Sequence, residues 1–187
     1  MKQWEETLIE NPVVAAIRKD NDLQRVIESE VKVVFILYGN IINISSICKK
    51  LKDNNKIVFI HVDFIEGLRG DHAGIDFIKE HVQPSGIITT KLSNVKYAKK
   101  IGLLTILRIF LIDSLSLQTG IKNLKEILPS AVEIMPGIAN KIIKNIKKEV
   151  KIPVIAGGLI ESKKDVIDAL SGGAIAVSTS KYDLLSL

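Results

Sequence analysis

Five ionisable residues stand in or just after short apolar runs, where charge is seldom placed: His61, Asp63, Lys91, Arg108 and Glu133. Buried charge must be paired or hydrogen-bonded. Two acids, two bases and one histidine allow internal pairing, which would make the set a salt-bridge network. They also suit a pocket for a small phosphorylated polyol, in which cations face phosphate and carboxylates hold hydroxyls. Side chains on a strand alternate in direction. If Asp63 faces a site, His61 lies one layer below it, and Val58, Ile60 and Val62 face away. Arg108 then shares a face with Leu104 and Ile106, while Glu133 points opposite to Val132 and Ile134.

A second signal is made of glycine and hydroxyl groups. Ile155-Ala-Gly-Gly-Leu-Ile160 is followed later by Val177-Ser-Thr-Ser180. Without Cβ atoms, Gly157 and Gly158 let backbone N–H groups approach an anion closely. Ser178, Thr179 and Ser180 add donors at the start of a short helix expected at 181–185, whose N-terminus would favour an anion. The alternative is a pair of tight turns built from small residues. The segment 65–74 carries three glycines and four titratable groups, which fits either a mobile lid or an exposed connection. Lys141, Lys144, Lys147, Lys148 and Lys151 are the densest candidates for RNA phosphate contact, against the default of a solvated helix face.

The elements that must position these groups come from the apolar pattern. Strand-like runs occur at 13–17, 31–38, 57–64, 86–90, 103–110, 131–135, 153–156 and 174–178. Most are continuously apolar, as expected of parallel strands covered by helices. Helical spacing fills the gaps at 22–28, 44–52, 71–80, 94–101, 116–127, 138–151 and 162–170. In the clearest, Ile138, Ile142, Ile146 and Val150 form a stripe opposite the lysines. Ser162 with Asp165 reads as a helix start, and Gly102 and Gly172–Gly173 as helix stops. Eight such units predict an α/β fold, a single (β/α)8 TIM-type barrel over residues 1–187. It is trimmed, since about 250 residues are usual for this fold. An open doubly wound sheet is the rival. Residues 1–11 read as a leader that adds little to the barrel. Sites in such barrels lie at the C-terminal ends of the strands, often with phosphate between the last two loops.

Composition sets the outer bounds. Of 187 residues, 47% are apolar and 25% charged, too apolar for a disordered chain. The single cysteine, Cys48, excludes an internal disulfide and a multi-cysteine zinc site. No metal site, cofactor or catalytic residue is assigned. The opening MKQWEETLIENP lacks a signal-peptide core, and no apolar run approaches the roughly 20 residues of a membrane span, so a cytoplasmic protein is expected. The net charge of +5 permits an acidic partner such as nucleic acid, although 5% aromatic residues give no base-stacking surface. Apolar surface left open on a trimmed barrel would allow a homo-oligomer.

Along nearly its whole length the chain resembles the glycerol-uptake operon antiterminator regulatory proteins. The resemblance rests on Ala15-Ala-Ile-Arg18, His61-Val-Asp-Phe-Ile-Glu-Gly-Leu68, Gly86-Ile-Ile-Thr-Thr90, Leu107-Arg-Ile-Phe-Leu-Ile-Asp113 and Val132-Glu-Ile-Met-Pro-Gly137, with both glycine and hydroxyl segments. Met135 departs from the leucine expected there. The resemblance implies a barrel that senses glycerol 3-phosphate and acts on leader mRNA to cause transcription antitermination of glycerol-utilisation genes. It also implies Asp63, Arg108, Glu133, Gly157, Gly158 and Ser180 as ligand-site positions. Two other classes remain open: an isomerase- or aldolase-like barrel enzyme, using Glu133 or Asp63 as acid–base or Lys91 as Schiff base, and a metabolite-binding protein whose output is another protein.

Overall fold

The computed structural model describes residues 3–187. Among them, eight parallel strands close in sequence order. They are β1 (Val13–Ile17), β2 (Val33–Ile36), β3 (Ile57–His61), β4 (Gly86–Thr89), β5 (Leu104–Phe110), β6 (Ala131–Met135), β7 (Val154–Gly157) and β8 (Ala176–Thr179). The helices are α1 (Gln3–Glu10), α2 (Asp20–Glu28), α3 (Ile44–Asp53), α4 (His72–Phe77), α5 (Leu92–Lys100), α6 (Ser114–Ile127), α7 (Asn140–Glu149) and α8 (Lys163–Ser171). Pairing of β1 with β8, Val14 opposite Ser178, shuts the barrel and rules out the open sheet.

The alternation expected of the strands is borne out. Phe35, Phe59, Ile88, Ile106, Ala131, Ile155 and Ala176 pack inside the barrel. Val34, Val58, Ile60, Ile87, Leu107, Val132 and Ile134 pack between the sheet and the helices. Continuous apolar runs serve both layers, which is why the strands do not read as alternating.

Residues 3–10 contradict the expectation that the start of the chain adds little. They form α1, and Trp4 and Leu8 are buried in the interior cluster with Phe59. Trp4 meets Phe59 at 5.8 Å and Phe59 meets Phe35 at 5.9 Å. Gly86 makes room for this stack, because a Cβ there would lie 2.7 Å from the Phe59 ring. A single aromatic and a single leucine one turn apart are too little pattern to announce a plug. The first two residues of the expected leader lie outside the described residues.

Helix ends follow local chemistry. Asp113 and Ser162 each close a capping box, on Ser116 and Asp165. Gly102 and Gly173 stand just past α5 and α8 at φ of +89° and +103°, where a side chain would be strained. On α7 the buried side is Ile143 and Ile146, with Val150 beyond its end, whereas Ile138 precedes the helix and is exposed. Four-residue steps overshoot the helical turn, so the expected stripe drifts off the buried face. The strand expected to run to residue 64 ends at His61, and Val62–Phe64 turn as a 3-10 helix. No helix among the described residues is long and apolar enough to cross a membrane.

Candidate functional site

At the C-terminal ends of the strands lies a cavity of about 320 Å³. Its floor is Arg108, Glu133 and Ser178, carried inward by β5, β6 and β8. Arg108 and Glu133 are register partners on adjacent strands. Arg108 Nε donates to Glu133 Oε2 at 2.6 Å, and Ser178 Oγ donates to Oε1 at 2.6 Å. Both charged side chains are almost wholly buried, so each depends on the other for solvation. Arg108 Nη2 has no partner among the described residues.

The rim comes from the last two loops and from β1. Gly158, Ser178, Thr179 and Ser180 line the cavity, as do Arg18 and Lys181. Gly158 has φ of +74°. Gly157 lies beneath: a Cβ on it would be 2.5 Å from Glu133 Oε1 and 2.6 Å from Ser178 Oγ, so only glycine admits this network. Thr179 is a brace between the loops, its hydroxyl donating to Ile160 O at 2.8 Å and accepting from Lys181 N at 3.1 Å. The expected helix at 181–185 is only a 3-10 turn, Tyr182–Leu184, so no helix dipole serves this rim. Met135, Phe64, Phe110 and Leu159 supply an apolar wall.

Asp63 and Lys91 stand apart from this cavity. Asp63 accepts from Thr89 Oγ1 at 2.9 Å and Thr90 N at 3.2 Å, and Lys91 Nζ lies 3.4 Å from it. Lys91 Nζ also donates to Gly70 O at 2.9 Å, joined there by Asn94 Nδ2 at 3.2 Å. These bonds, with the Asn40–Glu66 bridge, tie down the segment that read as either a mobile lid or an exposed connection. Its backbone carbonyl at Gly70 accepts from Lys91 and Asn94, while Asp71 caps α4 through Gly74 N and His72 stacks on Tyr97, partnerships that composition alone does not reveal.

His61 is buried inside the barrel, as its place on the strand requires. Burial, aided by the nearby Arg108 cation, lowers its pKa to about 4, so the ring is neutral near pH 7. Its Nδ1 is 3.9 Å from Asp63, too far for a hydrogen bond. Cys48 is buried and its thiol is pushed up to about 11 by burial, which suits an inert core residue. Among the described residues no group of three or more His, Cys, Asp and Glu is placed to hold a metal ion.

Arg18 and Lys181 were missed as site residues in the sequence. Arg18 directly follows β1, at the same carboxyl-end position that carries charge after other strands. It has no ion-pair partner among the described residues, whereas Lys181 Nζ lies 3.7 Å from Glu161.

The closed parallel barrel places the chain among the (β/α)8 proteins, and its polar cavity lies at the carboxyl ends of the strands, the face at which such barrels carry their sites. Residues 13–185 match the model of the glycerol-3-phosphate responsive antiterminators, and the chain belongs to that family. It is 38% identical over 180 residues to the Escherichia coli protein YgcP, described as uncharacterized, covering 96% of this chain and 94% of the relative. The crystal structure of the glycerol uptake operon antiterminator regulatory protein from Listeria monocytogenes superposes with a TM-score of 0.89 at 31% identity, covering 92% of this chain and 93% of that one. An antiterminator-related protein from Thermotoga maritima superposes with a TM-score of 0.84 at 33% identity, covering 94% and 98%.

Proposed function

We propose that this chain is a cytoplasmic regulator that binds glycerol 3-phosphate in the barrel mouth and, in response, binds leader mRNA to cause transcription antitermination of glycerol-utilisation genes. The observation that carries the ligand reading is the division of one cavity into two chemistries. Gly158, Ser180, Arg18 and Lys181 offer backbone, hydroxyl and cationic groups to a phosphate at the rim. The floor of Arg108, Glu133 and Ser178 offers donors and acceptors to hydroxyls. An internally neutral floor suits the uncharged end of the ligand.

The output surface we assign is α7. Cross-helix pairs Lys96–Glu126 and Lys125–Glu149 occupy the neighbouring acids, including the only acid on α7. Lys141, Lys144, Lys147, Lys148 and Lys151 are thereby left without an ion pair among the described residues. That surplus favours a polyanion. The connection into α7 rests on the ligand loop: Gly137 N donates to Gly157 O at 2.6 Å and to Gly158 O at 3.1 Å. A ligand that moves the loop therefore acts on the start of the basic helix.

The reading includes no catalysis and needs no cofactor. Glu133 is held by two hydrogen bonds at full burial, and Lys91 is half-exposed beside Asp63, poorly set for acid–base work or a Schiff base. Calorimetric titration with glycerol 3-phosphate, with glycerol and inorganic phosphate as controls and with leader RNA present or absent, tests it. The intact ester should bind selectively, RNA should tighten that binding, and the ester should tighten RNA binding by the same factor. Arg18→Ala should weaken ester binding and the ester's effect on RNA. Absence of ester binding, or turnover of a small phosphorylated substrate, would overturn the reading.

A further inference from the structure

Beside the cavity, the buried atoms His61 Nδ1, His61 Nε2 and Arg108 Nη2 have no hydrogen-bond partner among the described residues, while the likewise unbonded Asp63 Oδ1 faces the Lys91 ammonium at 3.4 Å. Leaving a buried polar group unsatisfied is costly, so each such group in a folded protein calls for an explanation such as a functional role. The cover over these atoms is Phe64. Its ring lies parallel to the imidazole at 4.1 Å and 8°, and the Arg108 guanidinium carbon is 5.9 Å from the same ring. Phe64 lines the cavity and is 47% exposed, whereas His61 does not line it and is 1% exposed. The phenyl ring is thus the partition between the cavity and the imidazole. The Asp63 carboxylate beside it is bonded to Thr89 and Thr90, which anchors the turn that carries the ring.

We propose that Phe64 is a gate and that His61 behind it is the specificity-determining residue that reads a hydroxyl of the bound phosphate ester. The inference rests on the phosphate-ester reading of the cavity and deepens it. With the phosphate at the Gly158–Ser180 rim, the far end of the ester reaches the floor. Phe64 swings aside, and His61 with Arg108 Nη2 takes the hydroxyl exposed there. A neutral imidazole has one N–H and one lone pair, and a hydroxyl is likewise both donor and acceptor. A second phosphate or a carboxylate would find no positive charge on this ring.

Two measurements test it. In the first, wild type and His61→Leu are titrated calorimetrically with glycerol 3-phosphate, propyl phosphate and inorganic phosphate. Wild type should prefer the hydroxylated ester by about tenfold, the equivalent of roughly one to two neutral hydrogen bonds. His61→Leu should bring the two esters within about threefold and leave inorganic phosphate unchanged, and His61→Gln, which keeps a donor and an acceptor, should restore part of the preference. Undiminished preference in His61→Leu overturns the hydroxyl-reading role and leaves the phosphate site standing. No binding of any ester by wild type overturns both. In the second, the His61 ring of the wild-type protein is followed by NMR, which does not depend on a variant folding. Glycerol 3-phosphate should shift the ring nitrogens and remove the upfield ring-current shift that the stacked Phe64 imposes on the ring protons. Saturation with the ester while both signals stay fixed overturns the gate.

Discussion

At the scale of single residues, the mouth is built from groups that solve one another's burial. Glu133 is tolerable inside the barrel because Arg108 and Ser178 both donate to it, and the trio fits because residue 157 is glycine. Gly157→Ala should therefore cost about 1–3 kcal/mol in denaturant unfolding and abolish ester binding. Gly158→Ala meets only the Met135 side chain at 3.6 Å and carries the strain of a positive φ, roughly 1–2 kcal/mol. It should keep the fold and weaken the ester, which separates packing from ligand approach. His61 adds a pH dependence. Its pKa falls from 6.5 in the unfolded chain to about 4 in the fold, so between those values the unfolded state binds more protons. Stability is unaffected above pH 6.5 and is lost progressively as pH falls toward 4. His61→Asn should remove that dependence, flattening the profile by roughly 3 kcal/mol across the window. An unchanged profile in the variant would mean that His61 titrates alike in the folded and unfolded chain.

At the scale of elements, α7 carries two jobs on two faces. Ile143 and Ile146 dock it, and the lysines outside are not needed for docking. Lys147 is the exception, since its stem lies against Gly173. Replacing Lys144 and Lys148 with Ala should leave stability and ester affinity unchanged. It should weaken leader RNA binding and lower the slope of log affinity against log salt by about 1.4–1.8, the counterions released by two phosphate contacts. Binding measured over a range of salt concentrations reads this directly, and an unaltered slope would move the RNA surface elsewhere. Helix boundaries at this scale obey local rules: Ser162 and Asp165 are a legible start for α8. Asp113 caps α6 two residues earlier than the apolar pattern suggests, because capping is a side-chain bond that periodicity does not register.

At the scale of the whole molecule, the barrel is closed laterally by β1 on β8 and axially by α1. A short barrel with small residues such as Ala131 and Ala176 inside needs bulk from elsewhere, and Trp4, Leu8, Phe35 and Phe59 supply it. Trp4→Ala should lower stability by about 3–5 kcal/mol, measured by denaturant unfolding followed by circular dichroism. A loss under about 1 kcal/mol would make α1 an ornament on a self-sufficient barrel. The ligand end should be unaffected, because Trp4 packs at the opposite end of the interior from Arg108.

The sequence by itself determined what is periodic and local. Eight apolar runs separated by helical spacing specify eight βα units, and strand parity puts Arg108, His61 and Glu133 on one face of the sheet, since side-chain direction follows from residue count alone. Closure into a barrel was decided by the pairing of β1 with β8. The glycine and hydroxyl segments were legible for the same reason, standing at strand ends in chain order. Tertiary structure alone decided which of these groups share a space. Asp63 and Lys91 read as equal members of the set, yet hydrogen bonds to Thr89, Thr90 and Gly70 turn them to a separate brace. Arg18 joins the cavity because barrel closure brings β1 beside β8, a contact between opposite ends of the chain. Phe64 over His61 is likewise invisible in one dimension, because the strand ends at His61 and the turn that follows folds the phenyl ring back over the imidazole.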